Sequence, residues 1–176
     1  MKKSSLPTKI FSSTQERLIS DALGWSVVSG SGAAPCAPGD VKGDNWLGEC
    51  KTHVNNAKSI YFNLDVWHKI ESEAMFSHRK PVLFTDDGSQ SLSTTWCVCR
   101  ANSVEDIGLQ VHPMKISSRK NISFDHLAEI ANFKSIRRTS PEAVRGDIFV
   151  FSTRWGDEDI YIMPFESFER IVREQG

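Results

Sequence analysis

The stretch DVKGDNWLGECK, residues 40 to 51, constrains the fold more than any other part of the chain. DVK and LGECK are strand-like, and Gly43-Asp44-Asn45 supplies the residues of a tight turn. Together they predict a β-hairpin. With Asp44 and Asn45 as a two-residue loop, Lys42 faces Leu47 and Asp40 faces Glu49. Directly opposed residues share a face of the sheet, with Cβ atoms roughly 4.5–5.5 Å apart. Alternation along the strand adds Lys51 to the face of Glu49. Val41, Trp46, Gly48 and Cys50 fall on the other face, where a core can take them. A three-residue loop would slip this register by one residue.

Helices and strands alternate around the hairpin. A first helix is predicted from Thr14 to Leu23, where Ser13 and Glu16 fit a capping box and Leu18, Ile19, Ala22 and Leu23 form an apolar stripe. Gly24 ends it. WSVV reads as a short strand, and residues 29 to 39 as a loop. A second helix is predicted from near Asn63 to about His78, with Leu64, Trp67, Ile70 and Ala74 on one face. The basic run SHRK, residues 77 to 80, ends it, where cations complement the helix dipole. Pro81 opens the strand VLFT, and Asp86-Asp87-Gly88 closes it.

In the second half, TTWCVCR reads as a strand, and Ser123 to Phe133 as a helix striped by Phe124, Leu127, Ile130 and Ala131. DIFVFSTRWGDEDIYIM is a hairpin turning near Gly156, and FESFERIVRE an amphipathic C-terminal helix. This order predicts an α/β (α+β) fold with a central mixed sheet flanked by helices. One domain of residues 1–176 is expected, with a core at 10–87 and a C-terminal α/β extension at 88–176. The Ser/Asp-rich stretch 86 to 95 is the best candidate boundary between them.

Hydrophobic residues make up 39% of the 176 and charged residues 24%, enough for a globular protein with a sizeable core. The net charge of -1 and pI near 6.5 exclude a generally basic nucleic-acid binder, yet say little about patches. The charge is segregated: residues 112 to 145 carry seven Lys and Arg against three acids, and residues 146 to 176 carry three against seven. Within the basic part, Lys115, Arg119, Lys120 and the run KSIRR with Arg137 and Arg138 are the best candidates for phosphate contact. A solvated face is the plainer reading of the same residues. No apolar run approaches the ~20 residues of a membrane span, and residues 1 to 11 lack the apolar core of a signal peptide. A soluble, intracellular protein with no membrane partner is expected, so its four cysteines are read as reduced thiols. The five histidines show no metal-ligand spacing such as H-x-x-x-H.

Chemistry concentrates on the hairpin. Two carboxylates held opposite each other repel unless something compensates. A divalent cation does so naturally, and all-oxygen ligands suit Mg²⁺, with Mn²⁺ as a substitute. Lys51 beside that ion could orient or deprotonate a water, or stabilise charge on a phosphate. Such a set belongs to phosphodiester hydrolysis. The bland alternative makes Lys51 a salt-bridge partner of Glu49 or Asp40 on an exposed face. Glu16 also has two readings: the cap of Ser13, or a carboxylate that supports the metal site through a water.

The ordered series TQERLISDALGW, SGSGAAPCAPGDV, LGECKTH and VWHKIESEAMFSHRKPVLFT resembles the PD-(D/E)xK nuclease superfamily. Within it, the series is most similar to Holliday-junction resolvases of the archaeal type and phage-encoded enzymes like them. The resemblance covers about residues 10 to 87 and implies a restriction-endonuclease-like core. It implies a Mg²⁺-dependent deoxyribonuclease of recombination or repair, acting as a homodimer on branched DNA in the cytoplasm, or in the host cytoplasm if phage-encoded. Asp40, Glu49 and the Cys50 carbonyl would hold the metal, Lys51 would be the catalytic lysine, and Glu16 the helix acid completing the site. Ser29 or Ser31 would handle the scissile phosphate. Gly39 stands where the motif usually has Pro. The same site could serve a sequence-specific (restriction-like) or repair endonuclease, and a silent binding module could retain the fold.

Overall fold

The fold is built around the strand that carries Glu49. The structure, a computed structural model, describes residues 8–29, 37–53, 58–61, 63–105, 111–116, 121–123, 148–155 and 157–175. In chain order these form α1 (Thr8–Leu23), β1 (Ser26–Val27), β2 (Val41–Lys42), β3 (Trp46–Thr52), β4 (Ser59–Tyr61), α2 (Leu64–Phe76) and β5 (Lys80–Asp86). Then follow a 3₁₀ turn at Leu92–Thr94, β6 (Trp96–Arg100), α3 (Asn102–Glu105), β7 (Val111–Lys115), β8 (Asn121–Ser123), β9 (Ile148–Trp155), β10 (Glu158–Pro164) and α4 (Phe165–Glu174).

Eight strands make one mixed sheet in the order β1-β2-β3-β5-β6-β10-β9-β7, and β4 pairs with β8 apart from it. β3 and β5 run parallel across the α2 crossover, and β7 runs parallel to β9. The remaining pairs in the sheet are antiparallel. Residues 87 to 95 merely join neighbours, because β5 and β6 pair directly from Val82–Cys99 to Thr85–Trp96. No helix among the described residues is long and apolar enough to cross a membrane.

Strand alternation sorts the core into two layers. Trp46 and Cys50 of β3, Phe84 of β5, Cys97 and Cys99 of β6 and Met163 of β10 meet Ile19 of α1 and Phe168 of α4. Leu47, Leu83, Val98 and Ile162 point the other way, against Trp67, Ile70 and Ala74 of α2. Gly48 lacks a side chain where one would collide with Phe84 at 2.6 Å and Val41 at 2.7 Å. The buried Cys50, Cys97 and Cys99 are free thiols. Burial raises the pKa of each, that of Cys99 to about 12.

Several expected boundaries shift. α1 begins at Thr8 rather than Thr14, so Ser13 lies inside the helix and donates to the Ile10 carbonyl at 3.1 Å. The capping box does not form. Gly24, at φ +67°, does end α1, and Trp25 N–H closes the cap on the Ser20 carbonyl at 2.9 Å. Leu18 and Leu64 stand 36% and 46% exposed, outside their expected stripes. The last turn of α2 carries no basic residue. Arg79 instead donates to the Gly43 carbonyl at 2.9 Å and Lys80 to the Ser103 carbonyl at 2.9 Å, tying loops together. Ser123 ends β8, and the rest of the helix expected at 123–133 lies outside the described residues.

Candidate functional site

The β2–β3 hairpin has the expected register. Val41 pairs with Gly48 and Lys42 with Leu47, and Gly43 N–H closes the two-residue loop on the Trp46 carbonyl at 3.0 Å. Regular pairing stops at Val41. Asp40 N–H donates to the Gly48 carbonyl at 2.8 Å, one residue short of its expected partner Glu49. The Asp40 carboxylate turns along the edge of β3, where Oδ2 accepts from Cys50 N–H at 2.8 Å. The N–H and C=O of one strand residue point to the same side, so the Cys50 carbonyl lies on the same edge of β3 as its N–H, past the end of β2. Gly39 permits the bend: its φ is +62°, a value closed to proline.

Glu49 points to the α2 face and is buried. Its Oε1 accepts from Lys51 Nζ at 2.5 Å, and its Oε2 lies 3.5 Å from Lys69 Nζ on α2. Lys69 Nζ also lies 3.7 Å from Glu73 Oε1, one turn along. Glu73 Oε2 in turn accepts from Gly39 N–H at 2.8 Å. α2 is thus tied to both sides of the hairpin. Burial disfavours the charge on Lys69, but the Glu49 and Glu73 carboxylates, with the hydrogen bond to Glu49, outweigh it and raise the pKa.

Glu16 reaches the site from α1, with Oε1 accepting from Ser12 Oγ at 2.9 Å. Burial pushes its pKa up; the Ser12 hydrogen bond opposes that, the Asp40 and Glu49 charges add to it, and Lys51 opposes them. The same four charged side chains act on the Cys50 thiol. Glu16, Asp40, Glu49 and Lys51 are therefore close enough to sense one another. Among the described residues, no three or more His, Cys, Asp and Glu side chains are gathered into a group that could hold a metal ion.

The remaining candidates are scattered. Ser29 is exposed at the edge of the described loop. Ser31, Arg119, Lys120, Arg137 and Arg138 lie outside the described residues. Lys115 is exposed on β7, the far edge strand, five places along the sheet from β3. At a strand spacing near 4.8 Å that places Lys115 roughly 24 Å from Glu49. Sequence reasoning missed Lys69 and Glu73. Their signal was there: a Lys and Glu four residues apart, flanking the buried stripe of Trp67, Ile70 and Ala74.

No family model matches the chain, and no curated protein or solved structure matches it either.

Proposed function

We propose that this protein is a metal-dependent DNA endonuclease of the PD-(D/E)xK kind, with a restriction-endonuclease-like core, acting as a homodimer on branched DNA. One observation carries the reading. A buried carboxylate, Glu49, shares the open end of β3 with Lys51, and a second carboxylate, Asp40, is hydrogen-bonded to the backbone between them. A salt bridge alone gives no reason to bring Glu16 there as well, at the cost of its raised pKa. The donors fit Mg²⁺ or Mn²⁺: all are oxygens, and Mg²⁺ is commonly held by one or two carboxylates plus waters and substrate phosphates. Asp40, Glu49 and the Cys50 carbonyl would hold it. When bound, the ion neutralises phosphate charge and lowers the pKa of water.

The chain's own groups do the rest. Glu49 is fixed by burial, and Asp40 by its bond to Cys50 N–H, so neither needs reorganising. Lys51 is half exposed and holds its ammonium against Glu49, beside the metal position, where it orients the attacking water and steadies charge on the phosphate. Glu16, with a raised pKa, holds the proton released by that water more readily than an ordinary carboxylate.

The test is cleavage of labelled four-way junctions, flaps and linear duplexes with Mg²⁺, Mn²⁺ or EDTA. The four-way junction is expected to be cut preferentially, and only with metal. Glu49→Ala, Asp40→Asn and Lys51→Ala are each expected to lower cleavage by about 10²-fold or more, with binding and folding retained. If every substrate stays intact with either metal, the protein is a non-catalytic binding module instead.

A further inference from the structure

Both oxygens of the buried Glu49 carboxylate are matched by an ammonium group that reaches in from solvent. Lys51 holds Oε1 at 2.5 Å and Lys69 approaches Oε2 at 3.5 Å, their side chains 48% and 54% exposed. A divalent cation that binds Glu49 must compete for these oxygens. The two lysines are unequal competitors. Lys51 sits two residues away on the same strand in a short contact. Lys69 makes a long contact across from α2 and has Glu73 Oε1 at 3.7 Å to receive it. Lys69 is the partner that gives way.

We propose that Lys69 is the resting counter-cation of the site: it stands against Glu49 until a divalent metal displaces it, and then contacts a DNA phosphate. The proposal rests on the nuclease reading above. A lysine ammonium is a compact charge on a flexible four-carbon stem, so the exchange needs rotation of one side chain and no movement of α2. Glu73 keeps its other oxygen on Gly39 N–H throughout, so the turn before Asp40 is held in both states. Displaced from Glu49, the ammonium stays half exposed at the mouth of the site, where a phosphate bound beside Glu49 lies within reach.

Lys69→Met keeps the stem and removes the charge, and because both ion pairs are half exposed on the lysine side it is expected to lower the thermal unfolding temperature only slightly, with the cooperative transition retained. Two readouts follow. Calorimetric titration with Mn²⁺ alone is expected to show binding about two- to fivefold tighter than wild type, because a surface-type competitor is gone. Binding of a labelled four-way junction, with Ca²⁺ replacing Mg²⁺ and strand integrity checked on denaturing gels, is expected to weaken. Its log–log salt slope should become shallower by about 0.9, the loss of one phosphate contact. Lys69→Arg should restore the slope. An unchanged result in either readout, or weaker Mn²⁺ binding, overturns the proposal. The controls separate the two ideas: if wild type binds no Mn²⁺, or Glu49→Ala binds it equally well, the nuclease reading falls and takes the proposal with it. If Mn²⁺ binding depends on Glu49 and Lys69→Met matches wild type, the proposal alone falls.

Discussion

Glu16 is half-buried, accepts from Ser12 and feels the charge of two other carboxylates, and this placement has a measurable consequence for stability. Its folded-state pKa lies above the ordinary value of 4.5, chiefly through burial. Between those two values the folded protein binds more protons than the unfolded chain. Stability therefore falls as pH rises through that window and stays lower above it. Glu16→Gln removes the titrating group and keeps an acceptor for Ser12 Oγ. In EDTA, denaturant unfolding is expected to show the variant at least as stable as wild type at pH 7, with a shallower decline above pH 4.5. In the nuclease assay the same variant is expected to lose activity. A cap residue would behave the other way round, with stability lost and turnover kept. The residues Ser13 and Glu16 misled because a capping box is a local pattern that says nothing of where the helix begins. Here α1 starts at Thr8, so Glu16 lies well inside the helix, away from its first turn.

The hairpin element depends on one backbone conformation before β2. Gly39 at φ +62° turns Asp40 out of the ladder, and Glu73 on α2 receives its N–H. A Cβ at Gly39 would meet the Leu47 side chain at 2.9 Å and the Gly48 carbonyl oxygen at 3.0 Å. Gly39→Ala is expected to cost about 1–2 kcal/mol for the left-handed φ alone, with the contact adding to it. The denaturant midpoint should fall, and Mn²⁺ titration should show weakened binding as Asp40 shifts; an unchanged midpoint would refute this account of the bend. The rest of the hairpin was legible because its turn chemistry and its alternation are local. Asp44-Asn45 set the register, and Val41, Trp46 and Cys50 declared the core face. The departure at Asp40 was not legible, since the turn at Gly39 that makes it is held by a carboxylate 34 residues along the chain from Gly39. The pairing of Lys69 with Glu49 was hidden for the same reason: it exists only once α2 crosses back over β3. Charge patterning carries no placement at all. Lys115 was a candidate for phosphate contact, and the sheet order puts it on the edge strand far from Glu49.

At the scale of the molecule, the sequence reads as a core at residues 10–87 followed by an extension at 88–176, and the sheet joins the two. β6 continues directly from β5, and β10, β9 and β7 extend the same sheet. Phe168 of α4 packs edge-on against Trp46 at 5.0 Å, Phe84 at 5.5 Å and Trp25 at 6.1 Å, all from the first half. Arg100 of β6 adds ion pairs of 2.6 Å to Glu71 on α2 and to Glu158 on β10, although its partial exposure makes these minor contributors. The aromatic contacts decide the matter. Removing the Phe168 ring leaves a void beside three aromatic side chains, and Phe168→Ala is expected to cost about 3–5 kcal/mol. That is a large share of the ~5–15 kcal/mol by which a domain is stable. Because the void lies under the strand that carries Glu49, the loss should appear at the site as well. Unfolding followed by tryptophan fluorescence and by far-UV circular dichroism should shift together, as a single transition to lower denaturant. A chain ending at residue 87 loses α4 and the β6 partner of β5, leaving Trp25, Trp46 and Phe84 without their cover. It is expected to show no cooperative transition. A cooperative transition in that fragment, or a Phe168→Ala protein in which the two probes separate, would mean that the first half folds on its own and the second is an addition to it.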